Sequence, residues 1–215
     1  QNYYDLALVN LQENQYARAV PPLEAYLRLD PENAQAHLLL GRAYHNLNRT
    51  VPAIEQFRKA LTLEPQLPLA HYHLGYADQS QGNLKAALDE FKQEIEINPN
   101  FADPYWLAGA IELDEGDLAA AEHFYSVSAR LKPDAFQPHY GRARVLLARK
   151  QFEAAVAELK RAVEIKPGEV EAHYALARAF GQMGDRAAAE REFALCARLN
   201  AQKQSASSGI AGQHP

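Results

Sequence analysis

Apolar residues recur along the chain at helical spacing, in pairs of stripes parted by a single position held by Asn14, Asn48, Gly82, Gly116, Lys150 or Gly184. Glycine and asparagine suit the left-handed residue after a helix C-terminus, so the pattern predicts a helix, a turn and a second helix six times over. The interval is fixed. Pro31, Pro65, Pro99, Pro133 and Pro167 stand 34 residues apart, with Ala201 in the next slot. An alanine column runs Ala19, Ala53, Ala87, Ala121, Ala155 and Ala189. A small-residue column runs Ala7, Gly41, Gly75, Gly109, Ala143 and Ala177, and a bulky one Leu23, Phe57, Phe91, Tyr125, Leu159 and Phe193. An aliphatic column, Leu29, Leu63, Ile97, Leu131, Ile165 and Leu199, precedes the prolines.

These columns resemble the tetratricopeptide repeat family over residues 1 to about 200. Helix axes approach to about 8 Å only where one contact residue is Gly or Ala, and proline ends the second helix because it lacks the next amide donor. The expected fold is all-α: a right-handed α-solenoid, or superhelix, of six helix-turn-helix units at about 1–33, 34–67, 68–101, 102–135, 136–169 and 170–200, with a linker-like tail over 201–215. In the family, one face of each first helix lines the inside of the superhelix. On the matching positions stand Tyr4, Leu38, Tyr72, Trp106, Tyr140 and Tyr174, joined by Arg42, His45, Tyr76, Gln79, Arg144, Arg178 and Gln182.

Composition narrows the partners. With 47% apolar and 23% charged residues, 215 residues can bury a core as a soluble chain, cytoplasmic or exported. A formal charge of −5 leaves no basic footprint for nucleic acid. No apolar run nears the roughly 18 residues that span a bilayer, so membrane insertion is not expected. One cysteine, Cys196, makes no internal disulfide and falls on a small-residue site where burial and inertness are expected. An opening on Gln1 rather than Met suggests a processed or trimmed product.

Candidate chemistry begins with "AHYHLGYA" at residues 70–77, which could pass for a metal or catalytic knot. The repeat argues otherwise. His37, His71, His139 and His173 share one column with Tyr3 and Tyr105, where the family usually places tryptophan between helices. Neighbouring copies should lie on the order of 10 Å apart or more, too far to share an ion at about 2 Å. His71 and His73, two apart on a helix, do not face each other. No metal or cofactor is therefore expected. Neither a phosphate loop, a Cys-x-x-C pair nor a nucleophile elbow is present, and the residues after 200 cannot form the catalytic domain that repeat-bearing glycosyltransferases need, so the chain is not expected to be an enzyme. The Asn48-Arg49-Thr50 sequon lies in an inter-helix turn and is expected to be fortuitous.

The aromatic column edged by arginine is the candidate site. Tyr, Trp and Arg concentrate binding energy in interfaces, and the expected ligand is a protein or peptide segment. Filling between adjacent helices is the competing use of those tyrosines. The lysine, asparagine and arginine set with which family members clamp chaperone carboxylates does not carry over, since Tyr4, Leu8, Leu39, Leu69 and His73 stand in the corresponding places. Stacking on sugar rings gives an alternative, a polysaccharide-contacting or export-scaffold protein; end-to-end structural assembly gives another.

Two departures from the pattern suggest an ion pair. Arg142 replaces the leucine of Leu6, Leu40, Leu74 and Leu176, and Glu122 replaces the aliphatic of Val20, Ile54, Leu88 and Val156. A buried unpaired charge is costly, so Arg142 is expected to pair with Glu122, with Glu112 in reserve. The ends also differ. Arg186 and Glu190 give the last helix a polar outer face, whereas Leu6 and Val9 leave the first helix an apolar strip, through which self-association is expected.

Overall fold

The computed structural model describes residues 2–211, with side chains described through residue 205. Among these residues the fold is all-α and holds twelve helices: α1 (Asn2–Gln12), α2 (Tyr16–Leu29), α3 (Ala34–Asn46), α4 (Thr50–Leu63), α5 (Ala70–Ser80), α6 (Leu84–Ile97), α7 (Ala102–Glu115), α8 (Leu118–Leu131), α9 (Phe136–Ala148), α10 (Phe152–Ile165), α11 (Val170–Gln182) and α12 (Arg186–Ala211). By contacts the chain divides into two compact units, Gln1–Ala108 and Gly109–Pro215. In the first, α1 to α6 each pack on their sequence neighbours; in the second, α8 to α12 do the same.

The sequence signals act where they were expected. Each turn between paired helices carries a positive φ at Asn14, Asn48, Gly82, Gly116, Lys150 or Gly184. Lys150 alone holds that conformation with neither glycine's freedom nor asparagine's short polar side chain, and such a residue costs roughly 1–2 kcal/mol. In unit 1 the alanine and bulky columns close the core: Ala53 and Phe57 are fully buried with Leu38, Leu67 and Leu74 around them. Gly41 shows why the contact column must be small. A Cβ there would lie 2.5 Å from Phe57 Cε1. Unit 2 repeats the arrangement around Leu159, Val156 and Leu176.

Two local features depart from the repeat. Between α4 and α5 the sequence Leu67-Pro68-Leu69 gives no capping side chain, and Leu69 is forced to a φ of 68°. The cap comes from α6 instead. Glu94, fully buried in a column that elsewhere holds Tyr26, Ala60, Ser128, Ala162 and Cys196, accepts from the backbone N–H of Leu69 at 3.0 Å and of Tyr72 at 3.2 Å, and Asn98 donates to the same carboxylate. The second departure is at the C-terminus, where a tail was expected from residue 201. Helix α12 runs on to Ala211, because Ala201 stands where proline ends the earlier second helices and Ala201-Gln202-Lys203-Gln204 are good helix formers. Residues 201–205 are exposed, and the tail's residues 212–215 lie outside the described residues.

Candidate functional site

The face of each first helix is set by how that helix is held. Nε2 of His37, His71, His139 and His173 lies 2.9–3.0 Å from the carbonyl of the proline six residues earlier, respectively Pro31, Pro65, Pro133 and Pro167. Nδ1 of each ring meets a side chain nineteen residues later on the second helix: Gln56 at 2.7 Å, Glu90 at 2.6 Å, Glu158 at 2.7 Å and Glu192 at 2.7 Å. Tyr105 keeps the proline half of this bracket, its hydroxyl donating to Pro99 at 3.0 Å. The histidine column is therefore structural, a cross-brace between the two helices of a pair and the turn before them. Its partner column was legible: where histidine gives way to Tyr3 or Tyr105, the residue nineteen later is Pro22 or Phe124 rather than Glu or Gln. For His71, the bond to Glu90 raises the imidazole pKa above its ordinary value, with burial opposing and the Pro65 carbonyl assisting.

With α9 and α11 fixed this way, their next column over opens a cavity in unit 2 of about 670 Å³. Four predicted residues line it together: Tyr140 and Arg144 from α9, Tyr174 and Arg178 from α11. Leu147, Val170, Ala175, Phe152 and Cys196 supply apolar wall; Lys150, Glu171, Gln182 and Asn200 supply polar edge. Tyr174 is half exposed and meets Phe193 edge-on at 5.7 Å. Burial raises the Tyr140 pKa, against the pull of Arg144. Arg144 lies 3.3 Å from Asp114 in an exposed pair. Of the residues not predicted, Glu171 and Leu147 continue columns already visible at Gln35 and His45, whereas Phe152 and Asn200 come from second helices and carried no signal.

The corresponding face in unit 1 is filled by its own rings. Tyr72 lies 5.0 Å from Phe101, 5.1 Å from His73, 6.3 Å from Tyr76 and 6.4 Å from Phe91, centroid to centroid. His45 meets Tyr76 edge-on at 5.5 Å, and its buried Nδ1 has no hydrogen-bond partner among the described residues. His73 stacks on Phe57 at 5.8 Å. Burial, with Arg42 and His45 nearby, pushes the His73 pKa down to about 3; burial, then Asp103 and Tyr76, pushes Tyr72 up to about 12. Tyr4 packs on Tyr26 at 5.0 Å, and Trp106 is half-buried on α7.

The expected ion pair between Arg142 and Glu122 does not form. Arg142 Nη1 donates to Glu158 at 2.6 Å, and Glu122 pairs with Arg149, which also donates to the Leu118 carbonyl at 3.1 Å. Position on the helix explains the exchange. Arg142 is three residues from His139, so both lie over Glu158 on α10 and share its carboxylate. Arg149, in the turn after α9, reaches back to α8. None of the four is fully buried. Cys196 is buried, its Sγ 3.6 Å from the Val170 carbonyl, and burial raises the thiol pKa. Leu6 and Val9 are half exposed on α1, while Arg186 and Glu190 are exposed on α12. Among the described residues no helix is long and apolar enough to cross a membrane, and no group of three or more His, Cys, Asp or Glu could hold a metal ion.

Comparison with known proteins matches the tetratricopeptide repeat over residues 4–68 and 72–136, more than half of the chain, and further repeat descriptions over 143–184 and 170–203. A search of curated proteins gave no significant match. Among solved structures, PilF of Pseudomonas aeruginosa aligns with a TM-score of 0.82 at 20% identity, covering 96% of each chain. A MamA fragment from Desulfovibrio magneticus RS-1 aligns at 0.72 and 18% identity, covering 79% of this chain and 96% of its own. YrrB, described as a TPR protein with an unusual peptide-binding site, aligns at 0.73 and 15% identity over 88% of this chain and 97% of its own. At these identities the likeness is one of fold.

Proposed function

Since the chain belongs to the tetratricopeptide repeat family, we propose that it is a non-enzymatic scaffold that holds a protein or peptide segment against the aromatic and arginine face of its first helices. The observation that carries this reading is the convergence of Tyr140, Arg144, Tyr174 and Arg178 on one open cavity. Two-torsion aromatic side chains bind at small entropic cost, and arginine adds directional donors. The unusual peptide-binding site named for YrrB lends support only at the level of shared fold. In unit 1 the equivalent positions are Tyr4, Arg42, His45, Tyr72, Tyr76 and Trp106, and the packing of Tyr72, Tyr76 and His45 on one another gives them a lesser part of the proposed surface.

A random-peptide display selection and a glycan array, run in parallel on the 215-residue chain, test the proposal. Reproducible peptide enrichment is expected, and alanine at both Tyr140 and Tyr174 should weaken binding by about 2–4 kcal/mol. Retention of glycans without peptides would favour the polysaccharide-contacting alternative. Indifference to loss of both rings would move the site elsewhere.

Self-association is a separate proposal, motivated by the half-exposed Tyr3, Leu6 and Val9. Lysine at Leu6 and Val9 should then lower the mass seen by light scattering at high concentration. A parent chain that stays monomeric under those conditions removes this reading.

A further inference from the structure

The unit 2 cavity is cationic in a chain whose formal charge is −5. Arg144, Lys150 and Arg178 line it, against a single lining carboxylate, Glu171. Arg178 is exposed, and no hydrogen bond or ion pair engages it among the described residues. Among the described residues Arg144 is held only by Asp114, at 3.3 Å, with both side chains exposed. Exposed pairs of that kind are weak, so the guanidinium can turn from Asp114 to a ligand. Around these charges stand the rings of Tyr174 and of Tyr140, the latter stacked on Phe136 at 5.3 Å, and an apolar wall. Together these groups describe a ligand that offers negative charge and apolar bulk within one short stretch.

Charge count and length narrow it further. Set against Glu171 and Asp114, the three cations leave one positive charge in excess, which matches a carboxylate better than a dianionic phosphate. Glu171 lies seven residues before Arg178 on α11, so the acidic end of the cavity is about 10 Å from the arginine. The lining positions on α11 run from Val170 to Gln182, a rise of about 18 Å, which an extended chain covers in five to six residues at about 3.3 Å each.

We propose that the unit 2 cavity selects a short extended protein segment carrying an Asp or Glu side chain, or a C-terminal carboxylate, within a few residues of a bulky apolar side chain. The carboxylate meets Arg178 and Arg144, and the apolar group lies between Tyr140 and Tyr174. This rests on the reading of the groove as the binding site, and it adds the chemistry of the partner.

The test is a selection from a random heptapeptide library, displayed with both free and blocked C-termini, on the parent chain and on two variants. One variant carries Arg144→Gln and Arg178→Gln; the other carries Tyr140→Ala and Tyr174→Ala. Both arginines and Tyr174 are exposed and Tyr140 is half-buried, so the helical circular dichroism signal should persist and serves as the control for folding. The parent pool should be enriched in a carboxylate together with a bulky apolar residue, and each variant should lose that signature. For a selected heptapeptide measured by fluorescence anisotropy, changing its acidic residue to the amide should weaken binding about tenfold or more, and added salt should weaken the acidic form only.

A pool of neutral or basic peptides that survives the arginine changes but not the tyrosine changes overturns this inference and leaves the groove reading standing. Tighter binding of the same heptapeptide with phosphoserine in place of its acidic residue also overturns the carboxylate assignment. A pool indifferent to both variants, or no reproducible enrichment, overturns the inference and the groove reading together.

Discussion

Tyr72 and Tyr174 hold the same place in the repeat, and their surroundings could hardly differ more. In unit 1, Tyr72 is enclosed by His73, Tyr76, Phe91 and Phe101, with ring centroids 5.0–6.4 Å away. In unit 2, Tyr174 has one ring neighbour among the described residues, Phe193, and is half exposed beside a cavity of about 670 Å³. The residue four further on decides much of this: Tyr76 adds a ring in unit 1, and the exposed Arg178 adds none in unit 2. The residue twenty-nine further on decides more, being Phe101 in one case and Lys203 in the other. Two faces built on the same backbone repeat thus divide into one that is packed and one that is open. An aromatic column alone does not mark a binding surface; its flanking residues do.

The largest effect should come from removing what holds the packed face in place. Glu94→Ala strips the buried acceptor from the Leu69 and Tyr72 amides and should destabilise unit 1 by about 3 kcal/mol. Urea denaturation would register it, and the open cavity of unit 2 should keep its ligand affinity. Matched alanine substitutions then compare the faces directly. Tyr72→Ala should cost about 2 kcal/mol of stability, whereas Tyr174→Ala should cost less than about 0.5 kcal/mol and be felt in binding. Equal costs would erase the distinction between packed and open faces.

A smaller effect is expected at Arg142, whose pair with Glu158 is partly exposed. Arg142→Met should cost about 1 kcal/mol, and a double-mutant cycle should couple Arg142 to Glu158 and not to Glu122. The smallest effect concerns pH. Bonded to Glu90, His71 has a folded pKa raised above its unfolded value. Its contribution is therefore full below the unfolded pKa of about 6.5 and fades as pH rises through the folded pKa. Glu90→Gln makes this bracket resemble that of His37 and Gln56, and should flatten the dependence of stability on pH above neutrality by less than about 1 kcal/mol.

Much of the architecture was legible because it depends on backbone requirements that few residues meet. Pro31, Pro65 and their successors stop helices, Gly41 and Gly75 admit Phe57 and Phe91, and the six turn positions take positive φ. That Tyr140 shares a helical face with Arg144, and Tyr174 with Arg178, follows from spacing, whereas the expectation that this face is the inner one rests on the family resemblance. What escaped depends on side-chain reach between helices. Arg142 was matched to the wrong helix because its column on α9 lies nearer His139, and so Glu158, than the apolar pattern suggested. Glu94 carries no signal of its own in the sequence, since its role follows from a missing cap twenty-five residues earlier at Leu69. Helix α12 runs beyond residue 201 because a composition that resembles a linker also propagates a helix once no proline interrupts it.

The histidine brackets bear on how such a chain can grow. Each begins at a proline carbonyl and ends twenty-five residues later, from Pro31 to Gln56, Pro65 to Glu90, Pro133 to Glu158 and Pro167 to Glu192. A 34-residue segment cut just before a proline contains its whole bracket, whereas one cut just before the first helix leaves the proline behind. Copying the segment 65–98 and inserting it in frame would therefore add a helix pair with its own brace intact. Proline is in this sense the first letter of the heritable unit, although it stands at the end of the helix pair that the eye picks out.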